Sequence, residues 1–243
     1  MRALAALALL LAALPAGAQQ EMETHELLGQ LGGRTALLQL FVTARPDGSA
    51  RLTGEYVILP QLQQRFVEGE RSKQLGVTFL KEGNSPILYG RPGTATLQGT
   101  WSGGAFRGAR YALGGQERER FEFSETFPAL DQYGATVQCE GAEGRYGYAL
   151  AYAIESGRLQ NLAWRSTVAP GGHGCQVSGL AQAPMTGGLR FAAGRCSVTL
   201  RDLGEQVLVQ AENCAAHCGS QAYLEPLLVD RDGACQLLRP QAR

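Results

Sequence analysis

The residues of this chain best suited to chemistry lie in one short segment, "CAAHC", which runs from Cys214 to Cys218 and contains His217. Thiolates and imidazoles bind zinc, but a zinc site needs four ligands, usually in two short-spaced pairs. The other ligand candidates, His173 and Cys175 in "GGHGC", are separated by one residue. A c-type haem requires C-x-x-C-H and a thioredoxin-like pair requires C-x-x-C. Neither spacing is present, so we predict no metal and no cofactor, with His217 facing solvent.

The six cysteines are instead expected to form three disulfides. All lie after residue 138: Cys139, Cys175, Cys196, Cys214, Cys218 and Cys235. An even number of cysteines in an exported chain favours a disulfide framework, although six cysteines allow fifteen connectivities. Because Cys214 and Cys218 are so close in sequence, we predict that they pair in a tight, non-helical loop. The remaining predicted pairs are Cys139 with Cys175 and Cys196 with Cys235.

Signatures of enzymes are weak in this chain. Its sequence contains no Gly-x-Ser-x-Gly elbow, no His-Glu-x-x-His and no phosphate-binding loop. The carboxylates Glu122 with Glu125, or Glu140 with Glu143, could act on a glycoside, but charged residues are mostly solvated surface. His25 is expected in the mobile start of the mature chain. We predict a non-enzymatic protein, with a glycan-active hydrolase as the less favoured alternative.

Three tyrosines recur at every second or fourth position of one segment, at Tyr146, Tyr148 and Tyr152. Such a row can line a groove for a sugar or a peptide, because tyrosine offers a flat apolar ring with a polar tip. Alternation of this kind more often marks the buried face of a strand. We interpret the row as core.

The beginning of the chain resembles a secretory signal peptide in its layout. Arg2 precedes an apolar run over residues 3–14, and Ala16 and Ala18 form a small-x-small cleavage site. The run is shorter than the ~20 residues that span a bilayer. We therefore expect residues 1–18 to be removed and the mature chain to be periplasmic or secreted, without a membrane span.

The charge balance of the mature chain excludes one class of partner. Without residues 1–18 the chain has 21 basic and 22 acidic residues, so it is not steered toward nucleic acid or anionic membranes. Lys73 and Lys81 are its only lysines, and Ala, Gly and Arg are abundant. That bias is typical of a bacterium with GC-rich DNA.

The elements that must position these residues read as short strands separated by turns. "ALLQLFVTA" and "ARLTGEYVIL" flank Pro-Asp-Gly and predict a hairpin. "QLGVTFLKEG" carries Leu75, Val77 and Phe79 on the face expected to be buried, and "PQLQQRFVEGERSKQ" is assigned as strand despite some helical spacing. The 32 glycines are consistent with strongly coiled sheets.

The predicted fold class is all-β, with two small antiparallel meander barrels or sandwiches, the second stapled by disulfides. The expected units are a cysteine-free domain over residues 27–127 and a disulfide-containing domain over residues 134–239. The connector lies in "SETFPALDQYG", where Pro128 interrupts the strand pattern.

One segment, "SGGAFRGARYAL" from Ser102 to Leu113, resembles the Ser-Gly-x-x-x-Arg-Tyr-like loop and strand of bacterial periplasmic inhibitors of C-type lysozyme. "RCSVTLRDLGEQVLVQAENCAAHCG" is similar in style to the cysteine-containing β domain of the broader lysozyme-inhibitor-like group. The resemblance implies a small disulfide-bearing β-barrel in which a loop serine and a nearby basic residue enter the lysozyme cleft. Gly108, Ala109, Arg110 and Tyr111 match the short motif, whereas Arg107 stands where the serine is expected.

These features together predict an exported binding protein of the bacterial envelope, with a lysozyme or another envelope protein as its partner. Gly-rich loops from Ser102 to Arg110 and from Pro170 to Cys175 would present backbone groups to the partner. The candidate binding residues are Ser102, Arg107, Arg110, Tyr111 and His173. The alternative function is that of a structural or assembly factor of the envelope.

Overall fold

In a computed structural model the protein is built entirely from antiparallel β-sheets. The structure describes residues 22–86, 92–130, 135–156, 158–171, 173–219 and 222–239, so the expected signal peptide lies outside the described residues. Its sheets are a closed eight-stranded barrel, a four-stranded sheet and a six-stranded sheet. The predicted fold class, all-β with a disulfide-bearing second unit, is confirmed.

The barrel is a meander in which each strand pairs with the next, and the first strand closes the ring by pairing with the eighth. The segment whose spacing was partly helical is strand β4, as predicted. The strands are β1 (Met22–Leu31), β2 (Arg34–Ala44), β3 (Ala50–Ile58), β4 (Gln63–Arg71), β5 (Val77–Gly83), β6 (Ala95–Ser102), β7 (Ala105–Ala112) and β8 (Glu117–Ser124).

Alternating side chains fill the barrel from within, but strand β5 has the opposite face inside from the one we predicted. Phe79 is 38% exposed and Leu75, in the preceding turn, is 68% exposed. The inward residues are Thr78, Leu80 and Glu82, each 0% exposed. The prediction failed because the ionised Glu82 has hydrogen-bond partners inside the barrel, so polarity does not report the buried face of this strand.

Glycines permit the tight coiling of the barrel strands. A Cβ at Gly69 would lie 1.8 Å from the carbonyl oxygen of Phe79, and a Cβ at Gly54 would lie 2.0 Å from that of Gln39. No side chain fits at such distances, so the neighbouring strand can approach only glycine at these positions.

The second unit is a sandwich of the four-stranded and the six-stranded sheets. Residues from both sheets, including Tyr146, Trp164, Val198 and Leu227, share one apolar cluster. The four-stranded sheet contains β9 (Ala135–Glu143), β10 (Tyr146–Glu155), β11 (Arg158–Val168) and β12 (His173–Ser178), and the six-stranded sheet contains β13 (Ala181–Ala183), β14 (Leu189–Ala193), β15 (Cys196–Asp202), β16 (Gln206–Glu212), β17 (Leu227–Asp230) and β18 (Cys235–Leu237).

Three disulfides staple the sandwich, and all three predicted pairings are wrong. The observed pairs are Cys139–Cys235, Cys175–Cys218 and Cys196–Cys214. The segment expected to be a non-helical loop contains one turn of 3-10 helix, Ala215–His217, and this turn directs its two flanking cysteines to different strands. All six cysteines are bonded, as predicted, which indicates an extracellular or otherwise oxidising compartment.

The outer wall of the barrel packs against the outer face of the six-stranded sheet. Leu37 and Val57 of the barrel share an apolar cluster with Leu208 and Leu228 of the sheet. Phe127, from the connector, joins this cluster, and the guanidinium of Arg201 lies 4.6 Å from the centre of its ring. Because strand β16 contacts the sandwich core on one face and the barrel on the other, its residues from Gln206 to Gln210 are all buried.

Polar side chains surround the contact between the two units. Glu26 of the barrel pairs with Arg201 and accepts a hydrogen bond of 3.2 Å from the amide of Gln210. Arg239 donates to the carboxylate of Glu55 and, at 3.1 Å, to Gln39 Oε1.

No helix in the described part of the chain is long and apolar enough to cross a bilayer.

Candidate functional site

The interior of the barrel is filled by aromatic side chains at one end. Trp101 stacks on Phe106 with ring centroids 5.1 Å apart, and Phe121 lies 4.8 Å from Phe106 and 5.6 Å from Phe123. Phe106 and Phe123 are fully buried. This barrel therefore has a packed core, in contrast to barrels that enclose a ligand cavity.

A buried carboxylate closes the other end. The guanidinium of Arg110 donates two hydrogen bonds to Glu82, from Nε to Oε2 at 2.6 Å and from Nη2 to Oε1 at 2.9 Å. Tyr56 donates its hydroxyl to Oε2 at 2.6 Å, and Thr94 donates to Oε1 at 3.0 Å. Both carboxylate oxygens therefore have two donors each, and the side chain of Glu82 has no contact with solvent.

The charges of this cluster are fixed by its hydrogen bonds. Burial opposes ionisation of Glu82, but the hydrogen bonds from Arg110 and Tyr56 and the charge of Arg110 outweigh it, so the pKa of the carboxyl is lowered. Burial, together with the neighbouring carboxylate, raises the pKa of Tyr56. Glu82 is thus ionised, both its oxygens are fully hydrogen-bonded, and solvent does not reach it. These properties suit an internal ion pair and not a catalytic acid.

The role predicted for Arg110 as an exposed loop residue is wrong. Arg110 lies in strand β7, its side chain is 20% exposed, and besides Glu82 it contacts Glu119 at 3.3 Å. The segment from Ser102 to Arg110, predicted to be a loop, is a tight turn followed by strand β7. Gly103 and Gly104 form the turn, both with positive φ, and connect β6 to β7 directly.

Three of the other predicted binding residues remain on the barrel surface. Ser102 is exposed at the end of β6, beside that turn. Arg107 forms an exposed ion pair with Glu122 at 2.8 Å. Arg107 and the half-buried Tyr111 border one shallow depression of about 390 Å³ on the barrel wall. The structure therefore brings Arg107 and Tyr111 together and leaves Ser102 at the end of the barrel.

His173 belongs to the sandwich, apart from the residues predicted on the barrel. It begins strand β12, where its backbone pairs with Val168, and its side chain lies outside the described residues. Strand β12 occupies the second half of the segment from Pro170 to Cys175 that we expected to be a loop.

His25 lies in strand β1, contrary to the expectation of a mobile segment. Its Nδ1 is 2.5 Å from an oxygen of Glu125, its Nε2 is 3.5 Å from Glu23, and its ring lies 5.4 Å from that of Trp101. These contacts fix the histidine over the aromatic end of the barrel.

The carboxylate pairs considered for glycoside hydrolysis are not assembled as pairs. Glu122 is bound to Arg107, and Glu125 is bound to His25. Glu140 and Glu143 are three positions apart on strand β9, so they point to opposite faces of the sheet. The tyrosine row, in contrast, is core as predicted: Tyr146, Tyr148 and Tyr152 are 2%, 8% and 2% exposed.

The open face of the four-stranded sheet is the surface whose geometry best suits a ligand. Each strand of this sheet turns one face to the sandwich core and the other to solvent. On the solvent side, the central strand β10 presents a row of small residues, Gly147, Ala149, Ala151 and Ala153, which form a floor.

Longer polar side chains border this floor on both sides at Ala149 and at Ala153. Ala149 pairs with Glu140 on β9 and with Arg165 on β11, so these two charges face each other across one floor residue. One step along the floor, Gln138 is the polar neighbour of Ala151. Because neighbouring strands are 4.7–4.9 Å apart, the two rims are separated by about 10 Å.

The result is a groove that follows strand β10. Three cavities of about 470, 550 and 430 Å³ lie along it. The first two share Glu140, Ala149 and Arg165, and the second and third share Gln138, Ala151 and Ala163. Their volumes fall in the range of ligand-binding clefts.

The charged groups on the rims have no ion-pair partner among the described residues. Within the part of the chain that the structure describes, neither Glu140 nor Arg165 forms a salt bridge or a side-chain hydrogen bond, and both are exposed. The sequence contained a signal for this surface, since the row from Gly147 to Ala153 alternates with the tyrosine row. We interpreted only the tyrosines, because a row of small residues has no chemistry of its own.

The described residues contain no group of three histidine, cysteine or acidic side chains placed to hold a metal ion.

No family model, no curated protein and no solved structure matches the chain.

Proposed function

We propose that this chain is an exported, non-enzymatic binding protein of the bacterial envelope, periplasmic or secreted, which binds another protein on the open face of its four-stranded sheet. One observation carries the proposal: this face forms a continuous groove whose rim charges, Glu140 and Arg165, are exposed and unpaired among the described residues. The signal-like start of the sequence and the three disulfides support the exported location.

The filled interior of the molecule supports a surface function. The barrel contains an apolar and aromatic core, and its polar end contains an ion pair without free donors or acceptors on Glu82. A small ligand therefore has no room inside the barrel, and we expect ligands to bind on the outer surfaces.

Site-specific crosslinking tests this proposal. A photoreactive phenylalanine analogue is placed at Gln138, on the groove rim, or at Gln116, an exposed turn of the barrel, in protein expressed with its own signal segment. We expect one envelope protein to crosslink at position 138 and not at position 116. The same partner, once purified, should bind the mature chain and lose binding with Ala149→Trp. Equal labelling at both positions, or no labelling at 138, would contradict the proposal.

Inhibition of a lysozyme is the second candidate, favoured by the exposed turn at Ser102 on a closed eight-stranded barrel. This barrel contains no disulfide, unlike the barrels that the resemblance implies. Arg107 is the exposed basic residue nearest in sequence to the turn and is our candidate for the basic residue that the resemblance implies. Micromolar mature protein should then inhibit a C-type lysozyme, and Ser102→Trp should relieve the inhibition. Unchanged lysozyme activity would exclude this form of the function.

A further inference from the structure

We infer that the groove binds one extended polypeptide segment in which a basic and an acidic residue are adjacent, the basic side chain on Glu140 and the acidic one on Arg165. This inference rests on the proposed function and specifies the chemistry of its partner. It depends on three features of the open face: the width of the groove, its length and the placement of its charges.

The width suits a single extended chain. The rims flank strand β10 on both sides and are about 10 Å apart, which is two strand spacings. The floor residues Ala149 and Ala151 carry only a methyl group, so a ligand backbone can lie close to the sheet between the rims. The backbone groups of β10 are occupied by hydrogen bonds to β9 and β11, so recognition must come from the rim side chains.

The length suits about six residues. From Gly147 to Ala153 the floor rises through six residues, and at about 3.3 Å per residue the groove is about 20 Å long. An extended peptide has the same rise per residue as strand β10. Its side chains therefore have the same spacing as the rim positions along the whole groove.

The charges specify what stands at the centre. Successive side chains of an extended chain point in opposite directions, so neighbouring residues i and i+1 reach opposite rims at nearly the same level. Glu140 and Arg165 are opposite each other in this way, because both pair with Ala149. A segment with one basic and one acidic side chain at adjacent positions can form an ion pair with each rim. A segment with two like charges would place one of them beside a rim residue of the same charge.

The neighbouring rim positions on this side carry no charge. Ala151 is bordered by Gln138 on one rim and by Ala163 on the other, while Thr136 and Asn161 both border Ala153. The polar side chains among them can donate to and accept from peptide groups and do not favour further charges. The expected segment therefore has uncharged polar residues on one side of its charged pair. A neutral glycan would use the amides but leave Glu140 and Arg165 without counter-charges, so the peptide is favoured.

The test uses purified mature protein and five fluorescent peptides of eight residues, identical except for a central Lys-Glu, Glu-Lys, Lys-Lys, Glu-Glu or Ser-Ser. Both mixed orders are included because the chain can enter the groove in either direction. We expect both mixed peptides to bind at least ten-fold more tightly than the other three in anisotropy titrations at low salt.

Charge-reversal variants make the assignment specific. Glu140→Lys gives two basic rims and should shift the preference to Glu-Glu, whereas Arg165→Glu should shift it to Lys-Lys. The double variant should recover the mixed peptides. Glu122→Lys, an equally exposed change on the barrel, should leave the preference unaltered, and Ala149→Trp should abolish binding of every peptide.

The outcomes separate this inference from the proposed function. If no peptide binds more tightly than Ser-Ser while the partner still crosslinks at position 138, the inference is wrong and the proposed function stands. If crosslinking also fails, both are wrong. Binding of a neutral chito-oligosaccharide that is blocked by Ala149→Trp, without peptide binding, would likewise overturn the inference in favour of a glycan.

Discussion

At the scale of single residues, Glu82 has the most demanding environment in the barrel. Its carboxylate is 0% exposed, and its four hydrogen bonds come from Arg110, Tyr56 and Thr94. Removing one partner of a buried pair is costly because it leaves the other charge without compensation.

We therefore expect Glu82→Gln to lower the free energy of unfolding by about 3 kcal/mol, near the lower end for broken buried pairs because Arg110 keeps its contact with Glu119. The matched control is Glu122→Gln, which breaks the exposed pair with Arg107 and should change stability by less than about 1 kcal/mol. Urea titrations of both variants give the comparison. Equal effects of the two substitutions would show that the internal network is not a stability determinant.

The same variant has a defined pH dependence. The pKa of Glu82 is lowered in the folded protein, so its stabilisation is complete above the ordinary carboxyl pKa of about 4.3 and is lost as the pH falls through the lower folded value. The stability gap between wild type and Glu82→Gln should therefore be constant from about pH 7 to pH 5 and narrow only below about pH 4. A gap that widens as the pH falls from 7 to 5 would mean that the folded pKa of Glu82 is raised.

At the scale of elements, strands with one wet and one buried face could be predicted from the sequence, and strands in other environments could not. Strand β10 alternates large and small residues, and its tyrosine row is core as predicted. Strand β16 is buried on both sides, so the positions of its polar residues Gln206 and Gln210 do not indicate a solvent-exposed face. Strand β5 has a charge inside and Phe79 outside because a distant arginine, Arg110, neutralises Glu82.

The disulfide pairs and the binding groove depend on how strands are ordered in space, which spacing along the chain does not reveal. Cys139 and Cys235 are 96 positions apart, yet they lie at the edges of two facing sheets. Glu140 and Arg165 meet across the groove only because β9 and β11 flank the same strand. Most strands could thus be predicted from the sequence. Which distant residues become neighbours could not, because that depends on the order of the strands in the sheets.

The Cys139–Cys235 bond should be a major contributor to the stability of the sandwich. It closes a loop of 96 residues, for which the chain-entropy model gives about 4.7 kcal/mol. We expect Cys139→Ala/Cys235→Ala to lower the free energy of unfolding by about 4 kcal/mol in urea titrations. The single variant Cys139→Ala is the control for side-chain loss and should show a similar decrease, since it breaks the same bond. A double variant within about 1 kcal/mol of wild type would contradict the model.

At the scale of the whole molecule, barrel and sandwich are joined by a contact that resembles the core of one domain. Leu208 and Leu228 are fully buried against the barrel, and Leu37 and Val57 are 6% and 3% exposed on the opposite side. Ion pairs and amide hydrogen bonds at Glu26 and Arg239 surround this apolar centre. We expect the two units to unfold together, because separating them would expose these side chains to water.

The two tryptophans allow that coupling to be measured, since Trp101 lies in the barrel and Trp164 in the sandwich. Variants with Trp164→Phe or Trp101→Phe each report fluorescence from one unit. With Leu208 intact, the two urea transitions should coincide with those followed by circular dichroism. Leu208→Glu buries a charge in the contact and should separate the barrel and sandwich transitions, while Leu208→Ala should lower stability by about 2–5 kcal/mol. Leu113→Ala, at a side chain 70% exposed, is the neutral control. Separate transitions already in the protein with Leu208 would mean that the contact is too weak to couple the units, and the groove would then be carried by a sandwich that folds independently of the barrel.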